Sequence, residues 1–155
     1  MIELRDGSVD EAEALVAVQK AASLAAFARV FPPERFPYPE QAILADLRGR
    51  LTGGSTAIVA VDGERPVGFA VVGPGWLEQL YVLPERWGTG VGARLHDEAV
   101  ERRRADGDSV LHLWTLEANG WSRAFYERRG WRLDGETRVV PYPPHPIDVQ
   151  YTLAL

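Results

Sequence analysis

The chain has 155 residues, 46% of them hydrophobic and 25% charged, with a formal net charge of -5 and no cysteine. That length and balance suit one globular domain with its own core and exclude the disordered and fibrous classes. The missing cysteine excludes disulfide scaffolds, iron-sulfur clusters and thiol nucleophiles, and the acidic balance excludes a general nucleic-acid binder, which works by neutralising phosphates.

Residues 2 to 6, "IELRD", read as a first strand, and "SVDE" supplies a capping box with Ser8 as N-cap and Glu11 three residues on. A helix to about Ala28 is predicted, with Leu15, Val18, Ala22 and Ala25 at helical spacing on its buried face. The stretch lacks the basic and apolar regions of a signal peptide, and no apolar run approaches a membrane span. A cytoplasmic protein with no membrane partner is expected.

"RVFPPERFPYP", residues 29 to 39, is too rich in proline for a helix and makes an aromatic loop. Ile43, Leu44, Leu47 and Leu51 mark a second helix, stopped by Gly53 and Gly54. "TAIVAV" and "PVGFAVVG" around Asp62-Gly63 read as a hairpin. "WLEQLYVL", residues 76 to 83, follows as a central strand, with Trp76, Glu78, Leu80 and Val82 predicted on one face and Leu77, Gln79, Tyr81 and Leu83 on the other.

Then come a glycine-rich loop, a helix whose Val91, Leu95 and Ala99 recur at helical spacing, the strand "SVLHLWTLEA", a short helix ended by Gly130, and two closing strands. The basic run "ERRRADGD" reads as a solvated helix end. His96, His112 and His145 lie too far apart in the chain for a metal motif, so no metal is expected. The sum is an α/β (α+β) domain spanning residues 1–155, with a mixed, mostly antiparallel sheet of about seven strands flanked by about four helices.

"PERWGTGVGARL", residues 84 to 95, asks for bare backbone between a strand and a helix. Glycine lets amides approach a ligand, and a helix N-terminus adds free donors and partial positive charge, which together favour phosphate. A P-loop would need Lys and then Ser or Thr after the last glycine, where Ala93 and Arg94 stand. A dinucleotide fingerprint is formally met by Gly88, Gly90 and Ala93, but a hairpin precedes it and too little chain follows for a second half. A plain tight turn would use the same glycines.

The third phosphate pattern is that of the GCN5-related N-acetyltransferase superfamily, which the chain resembles. That family's acetyl-CoA loop, Q/R-x-x-G-x-G/A after a strand, is matched by Trp87 to Gly92, with Trp87 in place of the usual Gln or Arg. A second motif, an Asn followed after seven residues by Tyr and then by Gly and an aromatic, is matched by Asn119, Tyr126, Gly130 and Trp131.

The resemblance implies an acetyl-CoA-dependent N-acetyltransferase acting by direct attack in a ternary complex. Backbone groups of Leu80, Tyr81 and Val82 would bind pantetheine, with Val82 N–H as oxyanion donor, and Gly88, Thr89, Gly90, Val91, Gly92 and Ala93 would hold the pyrophosphate. Tyr126 would be the general acid for the leaving thiolate; the spacing of Trp121 and Phe125 makes those two the expected core pair of its helix. Asn119 would cap this helix and touch the coenzyme. Glu78, amid apolar neighbours, is the candidate base, with a plain ion pair as the competing role. Phe31 and Tyr38 would line the pocket of a small-molecule or peptide amine, and a homodimer would be ordinary for the family. Family members acting on protein N-termini often carry a Glu where this chain has Trp114, which weighs against that acceptor. The competing function is a catalytically silent acyl-CoA-binding module.

Overall fold

The structure, a computed structural model, describes residues 1–155. In chain order it contains β1 (Ile2–Asp6), α1 (Ala12–Ala26), α2 (Glu40–Thr52), β2 (Thr56–Asp62), β3 (Arg65–Gly73), β4 (Trp76–Val82), α3 (Val91–Ala105), β5 (Val110–Leu116), α4 (Gly120–Glu127), β6 (Arg132–Val139) and β7 (Ile147–Ala154). The strands form one seven-stranded sheet ordered β1-β2-β3-β4-β5-β7-β6. All neighbours are antiparallel except β4 and β5, which are parallel. This is the mixed seven-strand, four-helix α/β architecture expected from the sequence. No helix is long and apolar enough to cross a membrane.

Helices cover both faces at the sheet's centre, which explains why β2 and β3 are apolar without alternation and buried along most of their length. Ser8 N–H donates to the Glu11 carboxylate at 2.9 Å, and Arg5 grips the same group at 2.6 Å, so the capping residues fix the entry to α1 through one turn of 3-10 helix. α1 buries Leu15, Val16, Val18, Gln19 and Ala22, whereas Ala25, expected on the same face, is exposed. α3 lies on the opposite face. A side chain at Gly68 would come within 3.0 Å of Leu95 Cδ1 and 3.1 Å of the Tyr81 carbonyl, so a glycine here lets α3 settle directly on β3. Each fully buried Leu, Val or Phe in this arrangement stabilises it by about 1.5–3 kcal/mol.

One irregularity shifts the phase of β4. Val71 stands opposite Gln79 and Val72 opposite Leu77, leaving Glu78 as an extra residue, a β-bulge. The expected face shared by Glu78, Leu80 and Val82 is therefore broken. Val82 stays on the α3 side, next to Gly92, while Glu78 turns to Arg50 of α2 and shares that side with Tyr81, which neighbours Gln19 of α1.

Candidate active site

β4 and β5 touch at one end only. Their single paired position is Trp76 with His112, reinforced by His112 N–H donating to the Gly75 carbonyl at 2.9 Å. Asp108 braces this junction by accepting from Gly75 N–H at 2.9 Å and from Arg103 Nε at 2.7 Å. Beyond it β5 pairs along its other edge with β7, and the edge of β4 is left open.

Which peptide groups line that edge follows from strand alternation. Leu83 N–H donates to the Val67 carbonyl at 2.8 Å, so the next hydrogen-bonded pair inward is Tyr81 with Phe69. Leu80 and Val82 occupy the other register and turn their N–H and C=O groups into the gap. The Val82 carbonyl bears this out, because it accepts from the indole Nε1 of Trp87 at 2.8 Å rather than from β3.

The gap ends at the glycine loop. Gly88 and Gly90 have φ of +74° and +92°, which L side chains rarely adopt, and a Cβ at either would have no atom within 4 Å. The loop thus presents bare backbone outward. Gly90 caps α3, and the first intrahelical bond, Arg94 N–H to the Gly90 carbonyl at 3.0 Å, leaves the amides of Val91, Gly92 and Ala93 without helical acceptors. Thr89 is pinned by its hydroxyl to the Arg86 carbonyl at 2.6 Å. Gly92 packs 3.7 Å from Val82 and 3.9 Å from Phe125, measured from its ideal Cβ, so the loop sits between β4 and α4.

α4 brings Asn119 and Tyr126 to the same gap. Asn119 is the N-cap, accepting from Ser122 N–H at 3.1 Å while its amide donates to Ser122 Oγ at 2.8 Å. Tyr126 is buried edge-on to Phe125 and Trp131. Burial, with Tyr81 beside it, pushes its phenol far above the usual tyrosine range, and no hydrogen bond contributes. The expected core pair of Trp121 and Phe125 is half right. Phe125 is buried, but Trp121 is 64% exposed and stacks between Phe125 and Trp87, whose centroid is 6.4 Å away; the buried tryptophan is Trp131. Trp131 Nε1 donates to His96 Nε2 at 2.9 Å and so locks α3 to the turn after α4.

On the α1 and α2 side the gap widens into a cavity of about 730 Å³. Phe31 and Tyr38 of the aromatic loop line it, as do Glu78 and Tyr81 of β4 and Tyr126 of α4. Glu78 is not the bare carboxylate its apolar neighbours in sequence suggest. Its Oε1 accepts from Arg50 at 2.6 Å and its Oε2 from the Ser55 hydroxyl at 2.6 Å. Burial pushes the Tyr81 phenol up to about 12 and raises Asp148 despite Arg138 at 2.9 Å. Sequence reasoning missed Gln19, Arg50, Ser55 and Gln79, all brought to Glu78 or to the cavity by tertiary packing. Arg50 reads in sequence as an ordinary solvent-facing position of an amphipathic helix, and no local signal marks it.

A model described as the acetyltransferase (GNAT) family matches residues 18–131. A Mycobacterium tuberculosis protein described as a "Probable N-acetyltransferase" is 30% identical over 92 residues, 55% of this chain and 51% of that protein. An "Uncharacterized N-acetyltransferase" of Archaeoglobus fulgidus is 32% identical over 80 residues, 44% of this chain and 54% of that one. The matches span about half the length of these relatives. Among solved structures, a GCN5-related N-acetyltransferase from Rhodopseudomonas palustris superposes with TM-score 0.78 over 99% of this chain and 95% of its own, at 24% identity. The PaiA N-acetyltransferase of Thermoplasma acidophilum, solved with coenzyme A, gives TM-score 0.77 over 100% and 99%, at 18% identity. At those identities the likeness is one of fold. The family match, by contrast, runs through both the glycine loop and the Asn119–Tyr126 helix, and on it the chain belongs to the acetyltransferase (GNAT) family.

Proposed function

We propose that the protein transfers the acetyl group of acetyl-CoA to an amine, with both reactants held in the gap between β4 and β5. The observation that carries this reading is the continuity of donors along the gap: outward peptide groups at Leu80 and Val82, then the bare amides of residues 88 to 93 at the start of α3. An extended amide-bearing chain with a diphosphate at one end fits such a surface, adding to β4 as a strand would.

Bound acetyl-CoA supplies a thioester carbonyl open to attack and a thiolate as leaving group. Leu80 and Val82 hold the pantetheine arm through their free peptide groups, and Tyr81, whose peptide group serves β3, contributes its side chain. Gly88, Thr89, Gly90, Val91, Gly92 and Ala93 hold the pyrophosphate, with Asn119 beside them. Val82 N–H donates to the carbonyl oxygen as negative charge builds on it, a type of contact that contributes about 2.7–4 kcal/mol where one donor has been removed. As the new C–N bond forms and the C–S bond breaks, Tyr126 gives its proton to sulfur. Its raised pKa keeps that proton in place throughout the neutral range. Glu78 takes the proton that the amine loses, its carboxylate oriented by Arg50 and Ser55. Phe31 and Tyr38 enclose the acceptor.

Two measurements test this reading together. Acetyl-CoA should bind in calorimetry, and Gly90→Asp, which places a carboxylate and a strained φ in the loop, should abolish binding. Amine-dependent thiol release should follow, read without background because the chain has no cysteine. Binding without release for any amine would point to the silent module, and no binding would refute the coenzyme site.

A further inference from the structure

The cavity's charge balance and its unpartnered oxygens describe the amine it takes, an inference that rests on the acetyl-transfer reading above. Three carboxylates face the cavity, and each is ion-paired, two of them sharing one arginine. Asp46 and Glu78 both bind Arg50, at 2.8 and 2.6 Å, and Asp148 binds Arg138 at 2.9 Å. The third arginine, Arg35, lies at the exposed rim, 5.5 Å over the ring of Phe36, and has no carboxylate partner. With three carboxylates against three arginines the wall carries no net charge, and it offers a polycation no surplus of anions. Bringing several ammonium groups out of water there would leave all but one without compensation.

The uncharged part of the wall points the other way. Phe27, Phe31, Phe36, Tyr38 and Tyr142 give it an aromatic character suited to a flat apolar body. Within it, Gln79 Oε1 is buried with no hydrogen-bond partner, while Gln19 Oε1 and the Tyr38 hydroxyl have only the Tyr81 and Ser23 side chains beside them, short of well-formed hydrogen bonds. Gln19 is itself only 7% exposed. Buried acceptors left unmatched are costly, and the two amide oxygens can each take a hydrogen bond from a bound amine's N–H. Gln79 and Glu78 line the same cavity, so a nitrogen held by the Gln79 amide shares that space with the carboxylate assigned to receive the amine's proton.

We propose that the acceptor is a monoamine on an aromatic body, of the arylethylamine type, and that polyamines and aminoglycosides are excluded. Gln79 and Gln19 position the amine nitrogen, the aromatic loop holds the ring, and Arg35 rejects additional positive charge.

The test offers 2-phenylethylamine, tyramine, spermidine and kanamycin at equal concentration to the whole protein with saturating acetyl-CoA, following thiol release. In parallel, the melting temperature is measured with free coenzyme A and each amine, which reports binding without turnover. Release should be at least about tenfold faster with the arylethylamines, the discrimination that a hydrogen-bonding pocket readily achieves. Gln79→Leu should raise the KM for the amine about tenfold and leave that for acetyl-CoA unmoved; should that variant fail to fold, Gln19→Leu carries the same expectation. Arg35→Glu should bring spermidine into use. Equal or faster release with spermidine or kanamycin would overturn the inference and leave acetyl transfer standing. Stabilisation by phenylethylamine but not spermidine, without release, would uphold the acceptor class and sink the catalytic reading. Neither release nor stabilisation with the arylethylamines would overturn the inference.

Discussion

Tyr126 combines a buried ring with a hydroxyl at the cavity, and its raised pKa comes from burial first, with no hydrogen bond involved. Removing only that hydroxyl should therefore leave packing intact. Tyr126→Phe is expected to bind acetyl-CoA as the parent does, to melt at nearly the same temperature, and to lose about 10²–10⁴ in kcat, the usual contribution of a positioned acid. An unchanged kcat would remove Tyr126 from the mechanism. The indole of Trp87 holds the Val82 carbonyl that a bound pantetheine arm would need. Acetyl-CoA should shift tryptophan emission as that bond opens, and Trp87→Phe should lose most of the shift. Tyr126 and Asn119 were legible because their spacing matches a family motif. The partners of Glu78 were not, because Arg50 and Ser55 are 28 and 23 residues away in the chain and meet it only through the packing of α2 against the bulge.

Among the elements, β4 sets the site and is also where the sequence misleads. Nothing in "WLEQLYV" interrupts the alternation of a regular strand, yet an extra residue at Glu78 reverses which side chains share a face. A bulge depends on the register of the neighbouring strand, and register is a property of two segments. The parting of β4 from β5 has the same character: its position is fixed by Trp76, His112 and the Asp108 brace, which bring together the ends of three elements. Asp108→Ala removes the acceptor for Gly75 N–H and for Arg103, itself nearly buried. It should lower stability in urea by about 1–3 kcal/mol, the cost of leaving such donors unmatched, and should weaken acetyl-CoA binding by loosening the fixed end of the gap. Loss of stability with unaltered binding would show that the brace does not govern the gap. By contrast, the helices, the β2–β3 hairpin and the order of all seven strands along the chain were readable from periodicity, prolines and glycines, which are local signals.

At the scale of the whole molecule, one sheet is divided at its centre, and the groups around the division are kept out of water. All five tyrosines have phenols raised above the ordinary value of 10, with burial the first cause in each. Above about pH 10 the unfolded chain has released these protons while the native chain keeps them, so the unfolded state binds fewer protons and stability falls as pH rises. Tyrosinate absorbance should appear together with alkaline unfolding; its appearance near pH 10 in a folded chain would contradict the burial described here. His96 acts at the opposite end of the scale. Burial holds its pKa below 6.5, so the unfolded chain gains a proton first and the stability present above about pH 6.5 declines as the solution is acidified through the lower native value. A Trp131–His96 bond that survives only with neutral imidazole predicts that His96→Gln flattens this acid dependence, measured by melting temperature between pH 7 and 5.

If the coenzyme adds to the open edge of β4 as a strand, amide hydrogen exchange of the isotope-labelled protein reports it residue by residue. Without ligand, the Tyr81 amide should already exchange slowly because it bonds to β3, while those of Leu80 and Val82 exchange fast. Saturating acetyl-CoA should slow Leu80 and Val82, together with the amides at the start of α3, and leave Tyr81 as it was. Acetyl-CoA that binds without slowing Leu80 and Val82 would rule out strand addition at β4.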